Sequence, residues 1–271
     1  MPATYAHKRF GGDVFDRLPA HIQKIIKREP ELFTIGLQGP DPFYLIMSPF
    51  RDVRLKIRKY GQDVHRAAGL HFMIPASRVA ERSEYDEAEM AYIYGVICHF
   101  ALDREAHAYI IEQAKKPEFT HAQIEMEFDR RLLVHDGLNP LRTRLMDGFV
   151  PSARNTAVIA QFYPDSNYFD LHAALVSTVI ANWVFLCPGR LKRRIVRFMI
   201  HALGVNPTCW DHIMSLHPAP QCAETNRVLA GLYQSAIPKA VTLCRDFEKC
   251  AKGAKDWDEL YLYNFKGERT E

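Results

Sequence analysis

The stretch CHFALDREAHAYI, from Cys98 to Ile110, places His99, Asp103 and His107 at steps of four among apolar neighbours. On a helix, residues four apart stand about 5–6 Å from one another. His99 and Asp103 can therefore grip one ion together, and His107 lies one turn further along the same side. The next helical segment repeats the device, with His121 and Glu125 four apart and Asp129 a turn later. Two helices that each present a histidine–carboxylate pair form a metal-site pattern. Such residues alone also occur on solvated surfaces and as hydrogen-bonded core histidines. Two pairs so close in sequence, with His107 between them, favour the metal. Nitrogen and oxygen donors without thiolate suit a catalytic zinc site rather than a structural one.

Further candidates lie upstream. His7 is close to the start of the chain, Asp41 sits in the Gly- and Pro-rich loop GLQGPDPFY, and His65 lies in GQDVHRAAG. A loop of that composition holds a carboxylate in a fixed place. Gly95 and Ala91 continue the His99–Asp103 stripe backwards with small residues, which lets another segment approach closely.

The elements that must position these groups are helical. Period-two runs are scarce and Asp136-Gly137 leads into no clear strand. Helical periodicity predicts helices over Asp13–Arg28, Asp86–Lys115, Thr120–His135, Ala153–Gln161, Tyr168–Leu186, Leu191–Gly204, Trp210–Leu216 and Asn226–Lys252, with a loop over Leu37–Arg51. Thr120 is the expected N-cap of its helix, with Gln123 three residues on. Pro238 is expected to kink or break the last helix. No linker or repeat is visible, so residues 1–271 read as one compact all-α domain, its motifs concentrated in 1–150.

The composition fits that reading: 271 residues, 48% hydrophobic, 25% charged, and a formal net charge of +3. That charge is too small to imply a nucleic-acid partner. Six scattered cysteines and an N-terminal segment without a signal-like apolar core predict free thiols and a cytoplasmic location. The most apolar run, AALVSTVIANWVFLC, contains Asn182 and reads as too short to cross a bilayer.

The ordered set His7, Asp41, His65, His99-x3-Asp103, His107, His121-x3-Glu125 resembles the zinc-dependent phospholipase C family, akin in fold to the fungal zinc nucleases. The wording GPD and CHFALD…H…H…E is similar to its cytoplasmic branch. The resemblance implies up to three zinc ions. One would take Asp41, His65, His99 and Asp103, and a second His107, His121 and Glu125. A third would take His7, a bridging Asp103 and the N-terminal amine. Secreted members expose an N-terminal Trp, whereas this chain begins Met-Pro, so Pro2 would supply that amine once Met1 is removed. The spacing from Asp103 to His107 is also shorter than in the secreted enzymes. The implied reaction is hydrolysis of a phospholipid phosphodiester by zinc-activated water, with Asp41 as proton acceptor. Phe43 and Tyr44, beside Asp41, are the expected substrate contacts.

Two alternatives share these residues: a nuclease or nucleotidase on the same fold, and a metal-binding protein without turnover. Other motifs point elsewhere less strongly. Cys209, His212, His217 and Cys222 echo a zinc knuckle without its second cysteine and its glycines, and fit a short core helix better. His135-Asp136 reads as a helix terminator. Asp129 would orient a ligand histidine or pair with Arg130, Arg131 or solvent. GRLKRRIVRFMIHALG forms a basic amphipathic helix, either a solvated face or a site of peripheral contact with anionic lipid.

Overall fold

A computed structural model describes residues 4–48, 50–202 and 207–270, without the side chains of 207–209. Met1 and Pro2, and with them the expected amine ligand, lie outside the described residues, as do Gly204 and the Cys209 side chain. The fold is all-α. Among the described residues eleven α-helices occur and no strand ladder, only two isolated bridges, Ala68 with Asn264 and Tyr263 with Arg269. The helices are α1 (Thr4–Phe15), α2 (Ala20–Arg28), α3 (Pro30–Gly36), α4 (Arg51–Arg66), α5 (Gly69–Arg82), α6 (Glu87–Gln113), α7 (His121–His135), α8 (Ala153–Ala160), α9 (Tyr168–Phe185), α10 (Arg190–Ala202) and α11 (Ala223–Ala251).

Helix α6 is the axis of the molecule. From Ala88 to Asp103 every residue is buried, so the helix is covered on all sides. Asp86 caps it, accepting from the Ala88 N–H. Helix α3 crosses it at backbone contact. A Cβ on Gly95 would stand 2.4 Å from the Phe33 carbonyl oxygen, and one on Gly36 2.4 Å from that of Tyr92. The small stripe read in the sequence is therefore an approach site for α3. Helices α1, α2, α5, α7, α8 and α11 complete the surround. One apolar cluster runs from Tyr5 to Phe265, and a second, small one joins Cys187, Val196 and Ile213.

Several expected boundaries move. The helix expected over Asp13–Arg28 is two helices, α1 and α2, because the chain turns over 16–18 and Pro19, which has no N–H to donate, begins the second. Pro30 opens α3 at its first turn rather than only ending α2. Helices α4 and α5 carry weak signals, α4 burying only Ile57, Gly61 and His65, and α5 holding Pro75 internally. Helix α11 runs unbroken through Pro238, with Ile237 and Ala240 buried on either side of it. In place of a helix over Trp210–Leu216 there is a 3-10 turn, Pro207–His212. Thr120 caps α7 as expected, accepting from Gln123 N–H at 3.2 Å.

Helix α9 also begins before its apolar run, where Asn167 caps it, and reaches 18 residues with a mean hydropathy of 1.2. By length and composition it could cross a membrane, although a third of it is buried within the fold. The expectation that this segment is too short does not hold, since the helix starts five residues upstream of Ala173.

Candidate metal centre

Five elements converge on one buried cluster. Helix α1 brings His7, the 3-10 turn Asp41–Leu45 brings Asp41, the last turn of α4 brings His65, α6 brings His99, Asp103 and His107, and α7 brings His121 and Glu125. All eight expected side chains meet there. His7 Nε2 lies 3.1 Å and His99 Nε2 3.2 Å from the Asp103 carboxylate, and His107 Nδ1 3.2 Å from it. Asp41 stands 3.0 Å from His65 Nε2 and 3.8 Å from His99 Nε2. Glu125 stands 2.9 Å from His121 Nε2 and 3.4 Å from His107 Nε2. His107 thus joins the two halves of the cluster.

Local structure explains these positions. Gly39, two residues before Asp41, has φ of +49°, and a Cβ on it would fall 2.4 Å from the His99 ring. Only glycine lets the loop turn so close to that imidazole. Carbonyl oxygens fix two tautomers: His65 Nδ1 lies 2.7 Å from Gly61 O and His99 Nδ1 3.2 Å from Leu37 O. A carbonyl only accepts, so Nδ1 carries the proton and each Nε2 presents its lone pair to the cluster. The His7 and His99 rings stack at 4.4 Å, and those of His107 and His121 at 5.4 Å.

The cluster is not internally satisfied. Asp41 Oδ2, His99 Nε2, Asp103 Oδ2, His107 Nδ1 and Glu125 Oε2 are buried without a hydrogen-bond partner. His99 Nε2 and Asp103 Oδ2 are only 3.2 Å apart yet not aligned to bond each other. Buried polar atoms are ordinarily paired. Donor atoms that crowd together without pairing are arranged around a shared point, as ligands are. Three groups have donor atoms within 4.8 Å of one another: His7, Asp41 and His99; His65, His99 and Asp103; and His107, His121 and Glu125. These residues fit zinc in donor type and number.

Electrostatics agree. Burial works against the Asp103 charge, but His107 and His99 hold its carboxyl well below the ordinary range. Burial likewise opposes the charge on His107, and Asp103 and Glu125 outweigh it, raising that imidazole well above its usual value.

A cleft of about 250 Å³ opens onto the cluster, lined by Asp41, Tyr44, His65, His107, Ile111, His121, Phe265 and Lys266. Tyr44 is on its wall, where burial keeps the phenol protonated far above its ordinary pKa. Phe43 is not; its ring is packed edge-on against Tyr60 and Tyr163 inside the core, because successive side chains of a 3-10 turn point about 120° apart. His121 is the most exposed of the eight.

Two contributors escaped sequence reading. Phe265 packs on His65 and His99, and Lys266 reaches the cleft, both delivered by the C-terminal segment, whose Tyr263 carbonyl accepts from Gly69 N–H at 2.8 Å. Nothing local marks them. Asp129 pairs with neither arginine beside it. Its carboxylate accepts the Tyr5 and Ala6 N–H groups at 2.9 and 2.7 Å, capping the first turn of α1 and so seating His7. The knuckle-like residues form no cluster among the described residues: Cys222 is buried as a free thiol, and burial pushes His212 down to about 4. Asp136, read as a terminator, also accepts from Tyr5 and Arg9, tying the end of α7 to α1.

The family model for zinc dependent phospholipase C matches residues 6–183, a span that contains all eight clustered side chains. The chain belongs to that family. Comparison with curated proteins and with solved structures returned no match.

Proposed function

We propose that the cluster holds up to three zinc ions and that the protein hydrolyses a phospholipid phosphodiester to diacylglycerol and a phosphorylated head group. The carrying observation is the set of buried, close and unpaired donor atoms on Asp41, His99, Asp103, His107 and Glu125, a cluster whose Asp41 and His107 line an open cleft. His65, His99, Asp41 and Asp103 would hold one ion, His107, His121 and Glu125 another. His7, with a carboxylate shared from its neighbours, would hold a third. Zinc bound there supplies charge neutralisation for a phosphate diester and lowers the pKa of water to about 7.

The chain's own groups do the rest. Asp41, on the cleft wall with its carboxylate 3.0 Å from His65 Nε2, accepts the proton of the attacking water. The water oxygen bonds to phosphorus, the bond from phosphorus to the glycerol oxygen breaks, and that oxygen takes a proton from solvent in the open cleft, while Asp41 returns the proton it accepted to solvent. Lys266 faces the anionic diester, and the neutral Tyr44 phenol donates to one of its free oxygens. Buried carboxylates and imidazoles hold their places because carbonyls of Gly61 and Leu37 fix the rings behind them.

The test is zinc content per chain, on protein purified without added metal, joined to assays on phosphatidylcholine and on single-stranded DNA. Zinc-dependent release of diacylglycerol is expected. Activity on DNA alone rejects the lipid reading, and a zinc-loaded protein inert towards both makes the cluster a binding site without turnover.

A further inference from the structure

Helix α10 turns its apolar side the wrong way for a soluble helix. Its inward side is formed by Val196 and the half-buried Ile200, which meet Cys187, Ile213 and Trp210 in the small second cluster, and by the buried Arg193, which donates to the Met214 carbonyl. Its longest apolar side chains face solvent: Leu191 is 72% exposed, Phe198 71%, Ile195 50% and Met199 46%. Steps of four and three, from 191 to 195 to 198, make these one stripe. A second stripe beside it carries Arg190, Arg194 and Arg197, all exposed. The helix sequence, RLKRRIVRFMIHA, contains no acidic residue.

Helix α9 continues the surface. Phe169, Ile180 and Trp183 are exposed along one side of it, at spacings of eleven and three. The two helices meet where the Lys192 ammonium lies 4.5 Å over the Trp183 ring and bonds the Trp183 carbonyl at 2.8 Å. Soluble chains rarely expose a contiguous apolar patch of this kind without an occupant.

We infer that the outer side of α9 and α10 is a docking surface for a bilayer containing anionic phospholipid. The charge pattern selects this occupant. An apolar stripe that enters the acyl boundary, flanked by arginines at head-group height, is the signature of a helix lying in the membrane plane. A second copy of the chain would bring the same arginines face to face. The inference rests on the phospholipase reading, whose substrate lies in a membrane, but it is read from residues outside the metal cluster.

The test uses the full-length, zinc-loaded protein and vesicles of phosphatidylcholine, with or without phosphatidylglycerol, in a brief sedimentation assay in the cold. Wild type is expected to sediment with the mixed vesicles, with Trp fluorescence shifted to the blue. Arg190→Gln/Arg194→Gln is expected to weaken that partitioning roughly thirtyfold, about 1 kcal/mol for each cation removed. Leu191→Ser/Ile195→Ser/Phe198→Ser is expected to lose at least about tenfold on the same vesicles. Both variants keep wild-type activity on a short-chain phospholipid dispersed as monomers, which also certifies their folding. Unchanged vesicle binding in either variant overturns the inference, as does wild type that binds neither vesicle. A wild-type dimer that the triple substitution dissociates, without vesicle binding, overturns it in favour of a second copy. Loss of short-chain activity in wild type strikes the hydrolase reading instead, and leaves the sedimentation result to stand alone.

Discussion

Asp129 is the most exacting test of how the cluster is built, because it touches no candidate ligand. The residue is fully buried, and its two oxygens accept the Tyr5 and Ala6 N–H groups at the start of α1. Those N–H groups have no partner within their own helix. Asp129→Ala strands both in a buried place. Each hydrogen bond to a charged acceptor contributes about 1.5–3 kcal/mol, and helix N-caps lose about 1 kcal/mol when truncated. Against this, burial, helped by the Glu125 charge, outweighs the two N–H bonds and pushes the Asp129 carboxyl up to about 7, so removing it relieves part of a desolvation cost. The net expected loss is about 2–3 kcal/mol, or roughly 5–10 °C in Tm for a chain of this size. Because α1 carries His7, zinc content is expected to drop by the ion that His7 would hold. Asp129→Asn, which keeps one acceptor oxygen, is expected to lose less. The assays are urea denaturation with and without zinc, and elemental analysis. A stability change within about 0.5 kcal/mol, with unaltered zinc content, refutes the reasoning that Asp129 seats α1.

Asp103 touches His7, His99 and His107, so Asp103→Asn is expected to lose metal and activity together, read by zinc analysis and diacylglycerol release; retained zinc with full activity contradicts its placement at the centre. Gly39→Ala combines a positive φ with a Cβ 2.4 Å from the His99 ring, and is expected to cost more than about 1 kcal/mol in urea denaturation and to weaken zinc binding. Lys266→Ala is expected to raise KM for an anionic diester more than it lowers kcat, with stability unchanged. In the metal-free protein, the depressed Asp103 stabilises the fold above the ordinary carboxylate range and fails it as pH falls. The raised His107 stabilises it below about 6.5 and is lost as pH rises through its elevated value. Zinc requires His107 unprotonated, so the gain in Tm on adding zinc should grow with pH; a gain that shrinks with pH counts against His107 as a ligand.

The pairing of His99 with Asp103 and of His121 with Glu125 needed nothing beyond helical spacing. Four residues make one turn, and a turn brings two side chains together whatever the rest of the fold does. The same local physics made the Thr120 cap, the Asp86 start of α6 and the stop before Gly137 legible. Pro19, Pro30, Pro75 and Pro238 were harder, because a proline's meaning depends on whether it opens a helix or is carried through one by packing. Helix α4 stayed hidden because its buried side is only three residues wide.

What the sequence determined by itself was which atoms could bind a cation, and that helices would present them, since donor chemistry and helix periodicity are local. Only the tertiary structure decided that α1, the Asp41 turn and α4 close over α6, that the C-terminal segment brings Phe265 and Lys266 to the cleft, and that Asp129 anchors α1 rather than a neighbouring arginine. Those contacts join residues from tens of positions apart to the opposite ends of the chain, and no local rule specifies them. It likewise decided that the apolar stripe of α10 faces outward: periodicity tells which residues share a side, but only packing tells which side the core takes.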